Sequence, residues 1–219
     1  MQVKTLAEFK SEVLRSKESK LVDSLVPIQY LLVLEPHEEL YNRIKDIKEE
    51  FAIKFDCPVA KHSKPHITLA NFVQYDLSES RIINKLRSIA NQISPFKVDL
   101  DGFGSFPEHT IYINVSTKVK IVEAVREIRQ AQRLMKIDQA NKPYFITEPH
   151  LTIARKLLPW QYQKGWLELS NTHFTGGFMA DNMLLLKRGS DREFNRYKEI
   201  ARFSFEGKKI TSAVQATLF

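Results

Sequence analysis

The sequence predicts an α+β protein of two pseudo-repeated lobes packed face to face. Apolar runs of strand length alternate with helical stripes twice over, with comparable content before and after about residue 117. Two short runs, KPHITLANF at 64–72 and EPHLTIARK at 148–156, share the order Pro-His-apolar-Thr-apolar-Ala. No low-complexity linker divides the chain, so the lobes are expected to share one core rather than fold as independent domains.

Residues 4–24 carry Leu6, Phe9, Val13 and Leu14 at helical spacing and predict an amphipathic helix that stands apart as an N-terminal segment (1–24). A main domain is expected over 25–210, and 211–219 as a tail. Pro27 opens PIQYLLVLEP, whose unbroken apolar run predicts a strand buried on both faces. The next helix, HEELYNRIKDIKEEFAIKF, aligns Leu40, Ile44, Ile47 and Phe51 on one stripe. The first Pro-His run is a strand, SESRIINKLRSIANQI a helix, and FKVDLDGFGSF with HTIYINVST a hairpin about Pro107-Glu108.

The pattern then restarts. A helix over KVKIVEAVREIRQAQRLM buries Val122, Val125, Ile128 and Arg129. The second Pro-His strand and a short helix through PWQYQKGWLELS follow. One or two strands are expected in HFTGGFMADNMLLLKRG, and a closing strand in RYKEIARFSFEG.

At 219 residues with 43% hydrophobic content, the chain can bury a sizeable core. No apolar run reaches the roughly 20 residues that cross a bilayer, so no membrane partner is expected. The charged N-terminus lacks the apolar stretch of a signal peptide. The lone Cys57 excludes an internal disulfide and suits a reducing compartment, which points to the cytoplasm. The net charge of +7 favours anionic partners, although the basic residues between 187 and 209 are interleaved with acids and read as a solvated face.

The paired motifs carry the chemistry. Residues i and i+2 of a strand share a face, so His66 projects with Thr68 and His150 with Thr152, while Ile67 and Leu151 turn into the core. Two such units on one groove supply two imidazoles and two hydroxyls. That set suits phosphodiester chemistry: one neutral histidine takes a proton from the attacking oxygen, and the other, protonated, gives one to the leaving oxygen. The threonines would hold the non-bridging oxygens. Glu148, just before His150, would raise that imidazole's pKa if it lay close enough. His62 and His66 stand four apart, but Pro65 disfavours a helix and no carboxylate or thiol completes a metal set, so no metal or cofactor is expected. Cys57 reads as core.

Paired His-x-Thr strands at this separation resemble the 2H phosphoesterase superfamily, and PHITLANF with PHLTIAR is similar to its bacterial 2′-5′ RNA ligase / cyclic phosphodiesterase branch. FGSFPEHTIYINVS and LLLKRGSDREFNRYKEIARFSF extend the likeness over roughly residues 27–206. The resemblance implies a bilobal fold of two pseudo-symmetric antiparallel sheets with flanking helices, a positively charged central groove and no required metal. His66 and His150 would be the acid/base pair, Thr68 and Thr152 the phosphate-holding hydroxyls, and Arg155 a basic residue beside the second motif, read equally as a surface ion-pair residue. By the same resemblance Tyr112 and Phe72, with Tyr144 behind them, could stack on a base. The first motif continues as NFVQYD where the family often has Phe-x-Gly, so the groove wall there differs.

These readings lead to a monomeric, metal-independent hydrolase of 2′,3′-cyclic phosphates or 2′-linked phosphodiesters, acting on RNA ends or nucleotides. Alternatives are a 2′-5′ RNA ligase, a phosphodiesterase of 2′-5′ oligoadenylates or cyclic dinucleotides, a non-catalytic RNA- or nucleotide-binding protein, and a scaffold working through the N-terminal helix.

Overall fold

Pro27 donates no hydrogen bond and sits at the start of the first strand, β1 (Pro27–Leu34), where none is needed. The computed structural model describes residues 26–189 and 196–208. The expected N-terminal helix and C-terminal tail lie outside the described residues. β1 is paired on both sides, which explains its unbroken apolar run: Tyr30, Leu32 and Leu34 enter the main core, while Leu31 and Val33 cover the other face.

α1 (Glu38–Lys54) buries Leu40, Ile44 and Phe51 on one stripe with Ile47 packed beside them; Glu38 and Glu39 in its first turn and Lys54 in its last suit the helix dipole. The short α2 (Pro58–His62) leads into β2 (Ile67–Tyr75). α3 (Glu79–Ala90) buries Ile82, Leu86 and Ile89. β3 (Phe96–Phe106) and β4 (Thr110–Val115) form the expected hairpin, its turn closed by Glu108 at φ +72°.

α4 (Lys118–Ile128) runs through a tight turn into the one-turn α5 (Gln132–Met135). α4 buries Ile121, Ala124, Val125 and Ile128, not the expected Val122, which is exposed. The two stripes share Val125 and Ile128, and the helix turns inward the side with the bulkier Ile121. Arg129 also stays outside, with its guanidinium 4.7 Å from the Phe145 ring centroid. Then follow β5 (Tyr144–Phe145), β6 (His150–Arg155), α6 (Pro159–Leu169), β7 (Thr175–Ala180), β8 (Asn182–Arg188) and β9 (Lys198–Ser204).

The strands form one antiparallel sheet in the order β7-β3-β4-β6-β2-β1-β8-β9, with β5 beside β2. The two lobes are therefore not the two halves of the sequence. β3 and β4, from before residue 117, join β6 and β7; β8 and β9, from the end of the chain, join β1 and β2. Periodicity is a local signal and reveals each strand, but partner choice is non-local.

The halves meet at β2 and β6 through one paired rung, Ile67 with Leu151, both fully buried. Each strand then carries a bulge at the same place in its motif. Against β1 the register skips Leu69, and against β4 it skips Ile153. The repeat is thus deeper than the shared letters, because the backbone irregularity is duplicated too. The helices pack into the main core, whereas the small cluster on the opposite face, Leu31, Val33 and Leu184 with Leu186 and Tyr197, takes no helical residue among those described. Among the described residues no helix covers that face, and the expected groove lies on it. No described helix is long and apolar enough to cross a membrane.

Truncating the rung should weaken the join between lobes. Leu151→Ala is expected to cost about 2–5 kcal/mol of unfolding free energy, read from urea denaturation with an unchanged m-value; a loss below about 1 kcal/mol would contradict a tightly packed joint.

Candidate active site: two histidines on one strand pair

Antiparallel pairing at Ile67 and Leu151 sets His66 across from Thr152 and Thr68 across from His150. Because the two rung residues are buried, the four polar side chains share the opposite face, and all four are half-buried. The structure thus brings the two predicted dyads together on adjacent strands, related by a local twofold through the rung.

The two imidazoles are held alike. His66 Nδ1–H donates to the Lys64 carbonyl at 2.7 Å, and His150 Nδ1–H donates to the Glu148 carbonyl at 2.8 Å. A carbonyl only accepts, so this bond assigns the proton to Nδ1 and leaves the Nε2 lone pair free in each neutral ring. Pro65 and Pro149, both buried, lie between each carbonyl and its histidine. The shared proline therefore belongs to the turn that presents the ring.

Burial pushes the His66 pKa down to about 4, and the positive charges of Lys48, Arg155 and His150 act in the same direction against the Lys64 carbonyl. Burial also lowers His150, opposed by the Glu148 carbonyl bond and then by the Glu148 charge. The expected rise from Glu148 is outweighed. Its carboxylate pairs with Lys118, and desolvation of the ring dominates.

His150 sits against aromatic rings: Phe106 meets it edge-on at 4.9 Å between centroids, and Tyr112 lies at 5.0 Å. Tyr112 pairs across the sheet with Thr152 and so faces the groove. Gly104 makes room for it, since a Cβ there would lie 2.5 Å from both the Tyr112 ring and the Asn114 side chain. On the other wall the Arg188 guanidinium lies 4.8 Å from the Tyr197 ring centroid, and both side chains reach Gln29.

Phe72 does not belong to the groove. Alternation from Thr68 would place it there, but the bulge at Leu69 reverses the facing, and Phe72 is 2% exposed and stacked on Tyr30 in the core. Tyr144 is exposed on β5, with no ring contact to either histidine. Arg155 ends β6, exposed, without an ion pair among the described residues, yet close enough for its charge to help lower the pKa of His66 and Lys48, in each case after burial. His109 bonds Thr110 Oγ1, His62 is exposed on α2, and Cys57 is buried. Among the described residues no three His, Cys, Asp or Glu side chains gather into a metal-ligand set.

Phe106 and Lys48 join the site without a forewarning in the sequence reading. Phe106 could have been found from its place two residues beyond Gly104 on a groove-facing edge. Lys48 could not, because it lies on a helix 18 residues before His66 with nothing local to mark it.

A family model described as the 2′-5′ RNA ligase superfamily matches residues 36–192, well over half of the chain. Two curated proteins named "Putative phosphoesterase" are similar. The one from Geobacillus kaustophilus is 28% identical over 137 residues, 60% of this chain and 75% of that protein. The one from Bacillus pumilus is 29% identical over 133 residues, 59% and 71%. Two crystal structures share the fold at low identity. Escherichia coli LigT complexed with 3′-AMP matches with TM-score 0.54 and 16% identity over 82% of this chain and 98% of that one. The protein TT0787 of Thermus thermophilus matches with TM-score 0.55 and 16% identity over 83% and 100%.

The electrostatics carry a pH signature. A histidine whose folded pKa is lowered contributes stability that is present above its unfolded value near 6.5 and lost as the pH falls towards the folded value. The His66 ring is expected to titrate near pH 4 by NMR, and wild type to lose stability more steeply than His66→Gln between about pH 6.5 and 4. A His66 midpoint at or above about 6.5 would contradict this.

Proposed function

The chain belongs to the 2′-5′ RNA ligase superfamily, and from that premise we propose that it hydrolyses 2′,3′-cyclic phosphates or 2′-linked phosphodiesters of RNA or nucleotides by two-histidine acid–base catalysis without a metal. The observation that carries this reading is the matched pair of Nδ1–carbonyl bonds on neighbouring strands, which would leave both Nε2 atoms available to one substrate. A binding protein would need only positive charge there. Two neutral rings with identically fixed tautomers favour proton transfer.

In the proposed reaction water attacks phosphorus in line with a ribose oxygen. His66 Nε2 accepts the proton of the water, and His150 donates one from Nε2 to the departing oxygen. Thr68 and Thr152 hydroxyls donate to the non-bridging oxygens as charge gathers on them.

The environments support this division of roles. Lys48 and Arg155 oppose protonation of His66, which suits a base. The Glu148 carbonyl and charge favour protonation of His150, and the Phe106 and Tyr112 rings lie beside it as π-partners for an imidazolium, which suits an acid. Burial keeps both rings neutral in the empty groove. A bound phosphodiester would bring the negative charge that raises the acid's pKa into the working range.

Arg155, with no ion pair among the described residues, would hold the phosphate or an adjoining one. Tyr112 would offer its ring to a base or ribose. LigT of E. coli, which shares the fold, has been crystallised with 3′-AMP, a ribonucleoside monophosphate like the products of this reaction. The family resemblance favours departure of the 3′ oxygen and a 2′-phosphate product. Run in reverse with a 5′-hydroxyl in place of water, the same groups would join RNA ends.

The test is turnover in EDTA of 2′,3′-cyclic AMP and of a short RNA ending in a 2′,3′-cyclic phosphate, with products resolved by phosphorus NMR. One monophosphate isomer is expected, with kcat down about 10²–10⁴-fold in both His66→Ala and His150→Ala. Absence of turnover on either substrate, or full activity in either variant, would refute the proposal.

A further inference from the structure

Lys48 is the one cation the core accepts among the described residues, at 1% exposure. It reaches from α1 to the sheet, where its ammonium donates to Ser63 Oγ at 3.0 Å, the Thr152 carbonyl at 2.9 Å and the Ile153 carbonyl at 3.0 Å. An ammonium has three protons, and these are three acceptors, so its hydrogen-bonding capacity is filled.

The partners are informative. Thr152 borders the bulge of β6 and Ile153 is the bulged residue, where the single-rung ladder to β2 has already ended. Bulges leave backbone groups without ladder partners, and here two successive carbonyls turn to one side-chain donor. In the sister motif the corresponding carbonyl, that of Leu69, accepts from the Ile146 backbone N–H at 3.1 Å. The backbone completes one bulge and Lys48 the other. Ser63, the third acceptor, immediately precedes Lys64, whose carbonyl fixes His66. One ammonium therefore ties the lead-in of the first motif to the bulge of the second.

We propose that Lys48 is a positioning residue: by clamping Ser63 to the Thr152–Ile153 bulge it sets how the two His-x-Thr units face each other across the groove. It touches no reacting atom, and the proposal rests on the two-histidine reading above. Arg155, an exposed cation close enough for its charge to act on Lys48, makes no hydrogen bond to Ser63 or the bulge among the described residues. The Lys48 charge also acts against protonation of His66, so the same group that holds the geometry favours the proton-accepting form.

The test compares Lys48→Met, which keeps the length and loses every donor, with Lys48→Gln, which keeps donors and loses the charge. Thermal melts of the full-length variants establish folding. In folded Lys48→Met, kcat on 2′,3′-cyclic AMP is expected to fall about 100-fold with KM little changed, since displacing reacting groups by about 1 Å costs that much. NMR signals of the His66 and His150 rings and of the Thr152 amide should shift in the empty protein, and Lys48→Gln should recover part of kcat.

A purely structural lysine would lower the melting temperature and leave kcat and those signals in place, which overturns the proposal. Failure of both variants to fold assigns Lys48 to stability alone and overturns it as well. If wild type turns over no phosphodiester, the functional reading fails by itself, and the chemical shifts in the empty variants still decide the clamp.

Discussion

The molecule depends on one rung. Ile67 and Leu151 are the only residues through which β2 and β6 are paired, and that pairing joins a β7-β3-β4-β6 sheet to a β2-β1-β8-β9 sheet. Because the strands run antiparallel, the rung is also a local twofold axis. Whatever one strand places beside it, the other places diagonally opposite. Burying both rung side chains commits the flanking residues to the other face, so joining the lobes and assembling two histidines with two threonines are one geometric event. The bulges that follow end the regular ladder at once, leaving the pair short and the groove open.

Half-buried imidazoles and buried polar side chains on a sheet create an electrostatic problem, and the chain resolves it by partnering. Among the described residues no buried side-chain nitrogen or oxygen lacks a hydrogen-bond partner. Lys48, Gln74 and Gln161, three of the four buried polar side chains, each donate to backbone carbonyls that the sheet or a helix end leaves over. The histidines are treated differently. Each has Nδ1 bonded to a backbone carbonyl and Nε2 left to accept a proton, in surroundings that disfavour the charged ring. Keeping imidazoles neutral beside Lys48 and Arg155 means that an incoming anion improves its own binding by allowing one of them to protonate. In this account affinity for a phosphodiester and readiness for acid catalysis have a single source.

Much of this is legible in the sequence, and the failures have a common cause. The strands around the two Pro-His runs, the α1 stripe of Leu40, Ile44, Ile47 and Phe51, and the hairpin about Pro107-Glu108 all follow from periodicity and turn chemistry. The errors arise where a local rule meets a non-local event. Phe72 falls on the groove face only if alternation runs unbroken from Thr68, and the bulge at Leu69 breaks it. The lobes look like sequence halves because β3 and β4 precede the second motif, yet β4 pairs with its strand and β3 with β4 and β7. Glu148 draws notice for its carboxylate, whereas its carbonyl orients His150 and its carboxylate meets Lys118. Lys48 carries no local mark, because its role exists only once α1 lies against the β6 bulge.

The central claim is that the two imidazoles face one anion. It is tested most directly by titrating protein with isotopically labelled histidine rings with a nucleoside 2′-monophosphate and following both rings by NMR. The account expects the His66 and His150 signals to move together with one dissociation constant, and both pKa values to rise on binding. Movement of one ring alone, or two unrelated binding constants, would contradict it.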